Sequence, residues 1–331
     1  MNMHTLRWLR VFLNVKVFIP VLLAVALLAF AFGLTDITRV LASIRQMPLS
    51  AIVLVFALAF IYFVLKALQL KLLLARLGIH SSWRRLLPAY SIGEMSVTIP
   101  TGVYAQNYVL QRVDRVSFAR SAAATTAALA VEILVVLVGL VVVKIPGWPW
   151  LQLTTFALLV LAAAVSIPLA TSRQFRVLAL RWLQRGPLRP IGKSVLEFLQ
   201  GLRQSASVAV MLPASLLGVA YLLVLALAFL TVGHAVGVDR LDFAQALSIY
   251  FFSLATILLL AGALTQLGGI ELAGLGAAAA WGYSWTEGLA MLLGFRLVWT
   301  CSIWLIAGTL ILLLRAELRA FPGDQRQEVG D

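Results

Sequence analysis

The sequence predicts an all-α, polytopic integral membrane protein with about seven to eight spanning helices, further re-entrant or discontinuous segments, and an inverted internal repeat. Three observations carry this. First, 62% of the 331 residues are hydrophobic and only 12% are charged, whereas soluble domains run at about half apolar and a quarter charged. Second, the apolar residues come in runs of about 20, the length that crosses a bilayer as a helix. Third, two apolar stretches are interrupted by Gly and Pro and carry carboxylates, and irregular backbone at membrane depth survives only against protein or a watery cavity.

The elements follow in order. A basic tail, 1–14, precedes the first apolar run, 15–34, NVKVFIPVLLAVALLAFAFG. That run is long for a signal peptide and a second span follows it, so we expect it to be retained rather than cleaved. The second span, 49–75, has Lys66, Gln69 and Lys71 toward its end, and both lysines are expected to snorkel to the interface. The stretch 84–110, RRLLPAYSIGEMSVTIPTGVYAQNYVL, holds Pro88, Gly93, Glu94, Pro100 and Gly102. It reads as a re-entrant hairpin or a discontinuous helix. Spans at 118–143 and 150–170 complete a first half, 15–170.

The connection 171–206 is strongly basic, from Arg173 to Arg203 with Glu197 as its one acid, and Val195, Leu199 and Leu202 have helical spacing. It is expected to lie on the leaflet surface as one or two interfacial helices. The second half, 207–315, has spans at 208–234 and 243–264, a broken segment at 262–285 and a last span at 287–314; a tail, 316–331, follows. The whole chain, 1–331, reads as one membrane domain. The echo between LGIHSSWRRLLPAYSIG (77–93) and VGVDRLDFAQALSIYFF (236–252), each leading into a broken segment, suggests two halves of opposite orientation.

The net charge of +13 does not point to nucleic acid, because the basic residues sit between apolar runs and at their ends, where they set topology against anionic lipid. Both termini and 171–206 are therefore expected on the cytoplasmic side of the cell (inner) membrane. The single cysteine, Cys301, lies in an apolar run. There is no disulfide framework, no metal-type Cys/His cluster, no phosphate-binding loop and no nucleophile–base pattern. No metal, no cofactor and no catalytic residue is expected, and the chain does not read as an enzyme or an ATP-driven pump.

Charged residues at membrane depth are the candidate site. Glu132 and Arg296 sit well inside spans, Glu271 lies in the second broken segment and Glu94 in the first, with Glu94 expected nearer the interface. Two readings stay open. Arg296 pairs with Glu271 or Glu132 merely to hold helices together, since buried charges need partners, or the same residues line a polar cavity. His234, at a span end, reads as interfacial, and Trp148, Trp150, Trp281 and Trp285 as belt residues.

Gly268, Glu271, Gly282 and Arg296, with Pro100, Gly102 and Glu132 in the first half, resemble the motifs of the flippase-like membrane domain of lysylphosphatidylglycerol synthases. Thr265 and Gln266 stand where that family has a glycine pair, and Ile133 where it has an arginine. The resemblance covers roughly residues 10–315. It implies a stand-alone member, since the short stretch after the last span leaves no room for the synthetase domain of the bifunctional members. It also implies a flippase-like transporter that moves a phospholipid or lipid-linked headgroup between leaflets. The substrate groove would be lined by Glu132, Glu271, Arg296, Gly268, Gly269, Pro100, Gly102 and Glu94. Partners would be membrane lipids, a lipid- or glycan-synthesis enzyme and a second copy in a homo-oligomer. The alternative is a non-transporting membrane subunit that recruits or stabilises a lipid- or glycan-modifying enzyme through 171–206. An intramembrane enzyme has only the carboxylates in its favour.

Overall fold

The computed structural model describes Gly33 and residues 35–97, 102–171, 189–259 and 269–319. The first apolar run except Gly33, the tails 1–14 and 320–331, and the site candidates Pro100 and Gly268 lie outside the described residues. Twelve α-helices are described: α1 (Ile37–Arg45), α2 (Leu49–Arg76), α3 (Trp83–Ser96), α4 (Ala105–Asp114), α5 (Phe118–Val142), α6 (Pro149–Thr171), α7 (Arg189–Ser205), α8 (Val208–Ala235), α9 (Phe243–Leu259), α10 (Gly269–Ala280), α11 (Trp285–Leu313) and α12 (Arg315–Arg319). Among them α2, α5, α8 and α11 are long and apolar enough to cross a membrane. Half of the most apolar stretch is buried in α8 and in α11, against a third in α2. The first two are therefore central, and α2 turns Leu54, Phe60 and Ile61 outward toward lipid.

The element order repeats. In both units a 28-residue helix, α2 or α8, ends in a glycine of positive φ, Gly78 (72°) or Gly237 (91°). Both glycines close the same cap: Ile79 N donates to Leu74 O at 3.0 Å, and Val238 N to Gly233 O at 3.0 Å, which satisfies carbonyls that the helix end leaves open. Aligning Gly78 with Gly237 places Tyr62 on Tyr221, Ala67 on Ala226, Leu70 on Phe229 and Leu73 on Val232, all buried. Tyr62 and Tyr221 touch edge to face, ring centroids 5.5 Å apart, so the equivalent faces of α2 and α8 pack on each other. Gln69 Nε2 fastens the same seam, donating to Ala214 O at 2.9 Å.

A helical hairpin follows in each unit. The 84–110 stretch forms the hairpin of its two expected alternatives. Arg85, at the start of α3, bridges Asp114, at the end of α4, at 3.1 Å. At the far end a Cβ on Gly102 would collide with the Ser96 carbonyl oxygen, so the returning chain needs glycine there. In the second unit α9 packs on α10. Trp281 Nε1 donates to Ser248 Oγ at 2.8 Å and Tyr283 OH to Gln245 Oε1 at 2.5 Å, which brings the end of α10 back to the start of α9. A residue of positive φ, Arg115 (54°) or Gly282 (78°), then leads into the closing long helix, α5 or α11.

The two units are inverted. Arg85 also reaches Glu317 of α12, just past the end of α11, at 4.0 Å, so α2 and α11 end on one face. Yet α2 enters the first hairpin while α11 leaves the second. The hairpins therefore open on opposite faces, separated by the 29 residues of α11, about 44 Å at 1.5 Å per residue. On the face where the first hairpin opens, α7 lies along the start of α5: Ser117 donates to Glu197, and Gly201 abuts Ala123. The apolar spacing expected there is only partly used, because Phe198 and Leu202 pack on the core while Leu199 is exposed.

Candidate functional site

Two buried charge sites stand on this scaffold. The first centres on Lys66 of α2. Its ammonium donates to Tyr62 OH at 2.7 Å, one turn back, and lies 3.4 Å from Glu94 Oε1 on α3 and 3.6 Å from Glu132 Oε2 on α5. Tyr90 OH donates to Glu94 Oε1 at 2.8 Å. The ammonium also sits 5.2 Å and 5.7 Å from the ring centroids of Tyr62 and Tyr221, within cation–π range. The Lys66 side chain is 16% exposed, and those of Glu94 and Glu132 8% each.

This corrects two expectations. Lys66 does not snorkel, and Glu94 does not reach toward the interface. The first hairpin carries Glu94 back to the middle of α2, and a lysine offered two carboxylates and a phenol oxygen is better satisfied inside than by stretching to water. Lys71, one turn further along, does lie at the mouth of the hairpin, 3.9 Å over the Trp83 ring. Glu132 takes Lys66 as its partner rather than Arg296.

The second site pairs Arg296 of α11 with Glu271 of α10, Nη1 to Oε1. Glu271 is 2% exposed and Arg296 25%. Gly269 opens α10, is buried, and places Glu271 in the first turn, where open backbone N–H groups and the helix dipole favour a carboxylate. Gly282, matched by spacing alone in the sequence, ends the turn after α10: Tyr283 N donates to Ala278 O at 3.0 Å.

An aromatic row connects the sites. Tyr62 packs on Trp299 at 5.1 Å, Trp299 stacks on Phe295 at 5.4 Å, and Phe295 meets Tyr250 at 5.3 Å. Phe295 and Trp299 flank Arg296 along α11, and Tyr250 lies within electrostatic reach of Lys66, Glu132 and Arg296. Gly102 stands beside a separate polar seam that fastens α4 to α5, in which Gln106 Nε2 donates to Thr125 Oγ1 and Thr125 Oγ1 to Asn107 Oδ1. His234 spans the cap of α8 through Leu241 O, 2.7 Å away.

The structure thus brings Glu94 and Glu132 together around Lys66, brings Glu271 to Arg296, and keeps Gly102 and Gly269 as backbone elements. Sequence reasoning missed Lys66, Tyr62, Tyr90 and Tyr221. A signal was there for three of them: Tyr62–Lys66 and Tyr90–Glu94 each have the four-residue spacing that stacks side chains on one helix face. Among the described residues no group of three His, Cys, Asp or Glu is placed to hold a metal ion.

The family model for the lysylphosphatidylglycerol synthase TM region matches residues 17–308. No curated protein and no solved structure matches the chain.

Proposed function

The chain belongs to the lysylphosphatidylglycerol synthase TM-region family, a multi-pass membrane architecture, and from that premise we propose that it is a flippase-like lipid translocase without catalytic activity of its own. The observation that carries the reading is the pair of buried charge sites, each built partly from a re-entrant hairpin arm, Glu94 on α3 and Glu271 on α10. A headgroup crossing hydrocarbon loses its hydration partners, and charged groups at membrane depth between inverted halves are what a transporter's substrate site uses. A groove of about 310 Å³ between α2 and α11, lined by Ile52, Val53, Phe56, Leu297, Cys301 and Leu305, gives acyl chains an apolar surface where the two units meet. In this reading the headgroup passes along Glu94, Glu132, Glu271 and Arg296, with Gly102 and Gly269 shaping the described backbone of the two hairpins. The headgroup belongs to a phospholipid or a lipid-linked sugar of the cell membrane.

The test is a leaflet-resolved assay on purified protein in proteoliposomes, using tail-labelled lipids and a membrane-impermeant quencher. Lipid movement above protein-free vesicles, lost in Glu271→Gln, supports the reading; equal rates with and without protein overturn it. Orientation is part of the proposal, with both termini and 171–206 cytoplasmic. A cysteine at Arg185 that reacts with an impermeant thiol reagent from outside intact cells reverses it. The second reading, a subunit that docks a lipid- or glycan-modifying enzyme, draws on α7, whose Leu199 and Arg203 are exposed on one face of the protein. Such a subunit would keep its role after Glu271→Gln and lose it on reversing the charges of α7.

A further inference from the structure

We propose that the Lys66 cluster is a proton-binding site, and that one proton enters and leaves it in each cycle of lipid movement; this rests on the translocase reading above. The argument starts from charge. Among the described residues the cluster sets two carboxylates, Glu94 and Glu132, against one ammonium, all within 3.6 Å of Lys66 Nζ. With every group ionised, one negative charge is left over in surroundings that are nearly dry. No other described cation balances it: Lys71 is stacked on Trp83 and Arg296 is held by Glu271.

The remaining titratable groups that face the cluster are phenols, Tyr62 on α2, Tyr90 on α3, Tyr221 on α8 and Tyr250 on α9. None supplies a positive charge. One hydroxyl is left over nearby in the chain: Ser91 Oγ, three residues before Glu94 on α3, is buried with no hydrogen-bond partner among the described residues, and buried hydroxyls without partners are uncommon.

An excess charge is tolerated where water reaches it and is costly where water is excluded. Two states follow. With one carboxyl protonated the cluster is neutral and can close off from both faces; with both ionised it is stable only when open to water. A proton from water on one side forms an O–H bond with a carboxylate oxygen of Glu94 or Glu132. The neutral cluster passes through the closed state, and the same O–H bond breaks to water on the other side. Because the fold inverts one unit on the other, its two open states face opposite sides. The emptied cluster, with one negative charge in excess, closes again only when a cationic group of the lipid headgroup takes the proton's place beside the carboxylates, so proton and lipid cross in opposite directions and a proton gradient biases lipid movement.

The test has two arms. In the first, infrared difference spectra of the purified protein follow the carboxylic-acid C=O band as the pH is changed, with no lipid movement required. We expect a titrating band that shifts or disappears in Glu94→Gln and in Glu132→Gln. In the second, wild-type proteoliposomes carrying tail-labelled phosphatidylethanolamine, whose ammonium can take the proton's place, receive a gradient of about one pH unit, which for one proton exchanged per lipid shifts the steady-state leaflet ratio up to about tenfold. Reversing the gradient should reverse the shift. The absence of any titrating carboxyl band, or a leaflet ratio that ignores a gradient of either sign while lipid moves, overturns the proton site and leaves the translocase standing. A titrating band that the Gln variants remove, with no lipid movement under any gradient, keeps the proton site and overturns the translocase reading for this lipid. Should both Gln variants fail to fold, the wild-type gradient measurement still decides.

Discussion

Lys66 lies against two carboxylates contributed by two other helices, whereas Arg296 meets a carboxylate on the neighbouring hairpin arm and keeps a quarter of its side chain exposed. The scaffold around them is duplicated, yet the charges are not. Aligning Gly78 with Gly237 puts buried Leu225 of α8 where α2 has Lys66. Repetition therefore accounts for the helices, the hairpins and the left-handed turns, while each half was given its own charges. One site is congested and closed, the other simple and partly open, and the difference suits unlike tasks.

The largest expected effect breaks the congested site. Lys66→Met leaves two carboxylates with no cation, and an uncompensated buried charge costs about 3–5 kcal/mol. We expect little monodisperse protein from detergent, read by size-exclusion chromatography. Adding Glu94→Gln and Glu132→Gln should recover most of the yield, because a neutral cluster strands no charge. A Lys66→Met protein as stable as wild type would mean that the cluster is hydrated and the contrast with Arg296 is wrong.

The next effect probes the simpler site. Arg296→Ala takes the guanidinium away from Glu271 at a site already partly open, so we expect a loss of about 1–3 kcal/mol, seen as a lower Tm in detergent. Glu271→Gln should chiefly lower lipid movement. The exchange Glu271→Arg with Arg296→Glu should restore Tm better than transport, because a substrate reads the sign at each position whereas folding needs only the pair. Equal recovery of both in the leaflet-resolved assay would make the pair purely structural.

The smallest effects compare equivalent turns. Gly282→Ala places a Cβ at a φ of 78° and should cost about 1–2 kcal/mol. Arg115→Gly, at a φ of 54° in the other unit, removes such a strain and should raise Tm or leave it unchanged. Opposite signs at the two positions would confirm that the turns do the same job with different residues.

The hairpin at 84–110 was legible because Pro and Gly at membrane depth have few uses, the part of 262–285 before Gly269 lies outside the described residues, and the Arg296–Glu271 pair was legible because two opposite charges in apolar sequence must find partners. The repeat announced itself only in the stretch after α2 and α8; the Tyr62–Tyr221 correspondence shows once the two caps are superposed. Lys66 was misread for a physical reason. Its place in a 28-residue helix allows either snorkelling or burial, and the choice depends on Glu94, which is local to nothing near it in sequence and arrives only through the fold of α3. Glu132 was ambiguous for a related reason, since Arg296 had two carboxylates to choose from, and packing gave it Glu271 and left Glu132 to Lys66.

The row of Tyr62, Trp299, Phe295 and Tyr250 between the charge sites has a meaning for the cell as well as for the fold. Any opening wide enough for a headgroup is wide enough for water and small ions, and a membrane that leaks them runs down its own voltage. On the translocase proposal, rings packed about 5 Å apart would act as a bung, parting for something large that brings its own oily tails and shutting behind it. Trimming the row, as in Trp299→Ala, should show first as conductance across a planar bilayer and only then as a change in lipid traffic.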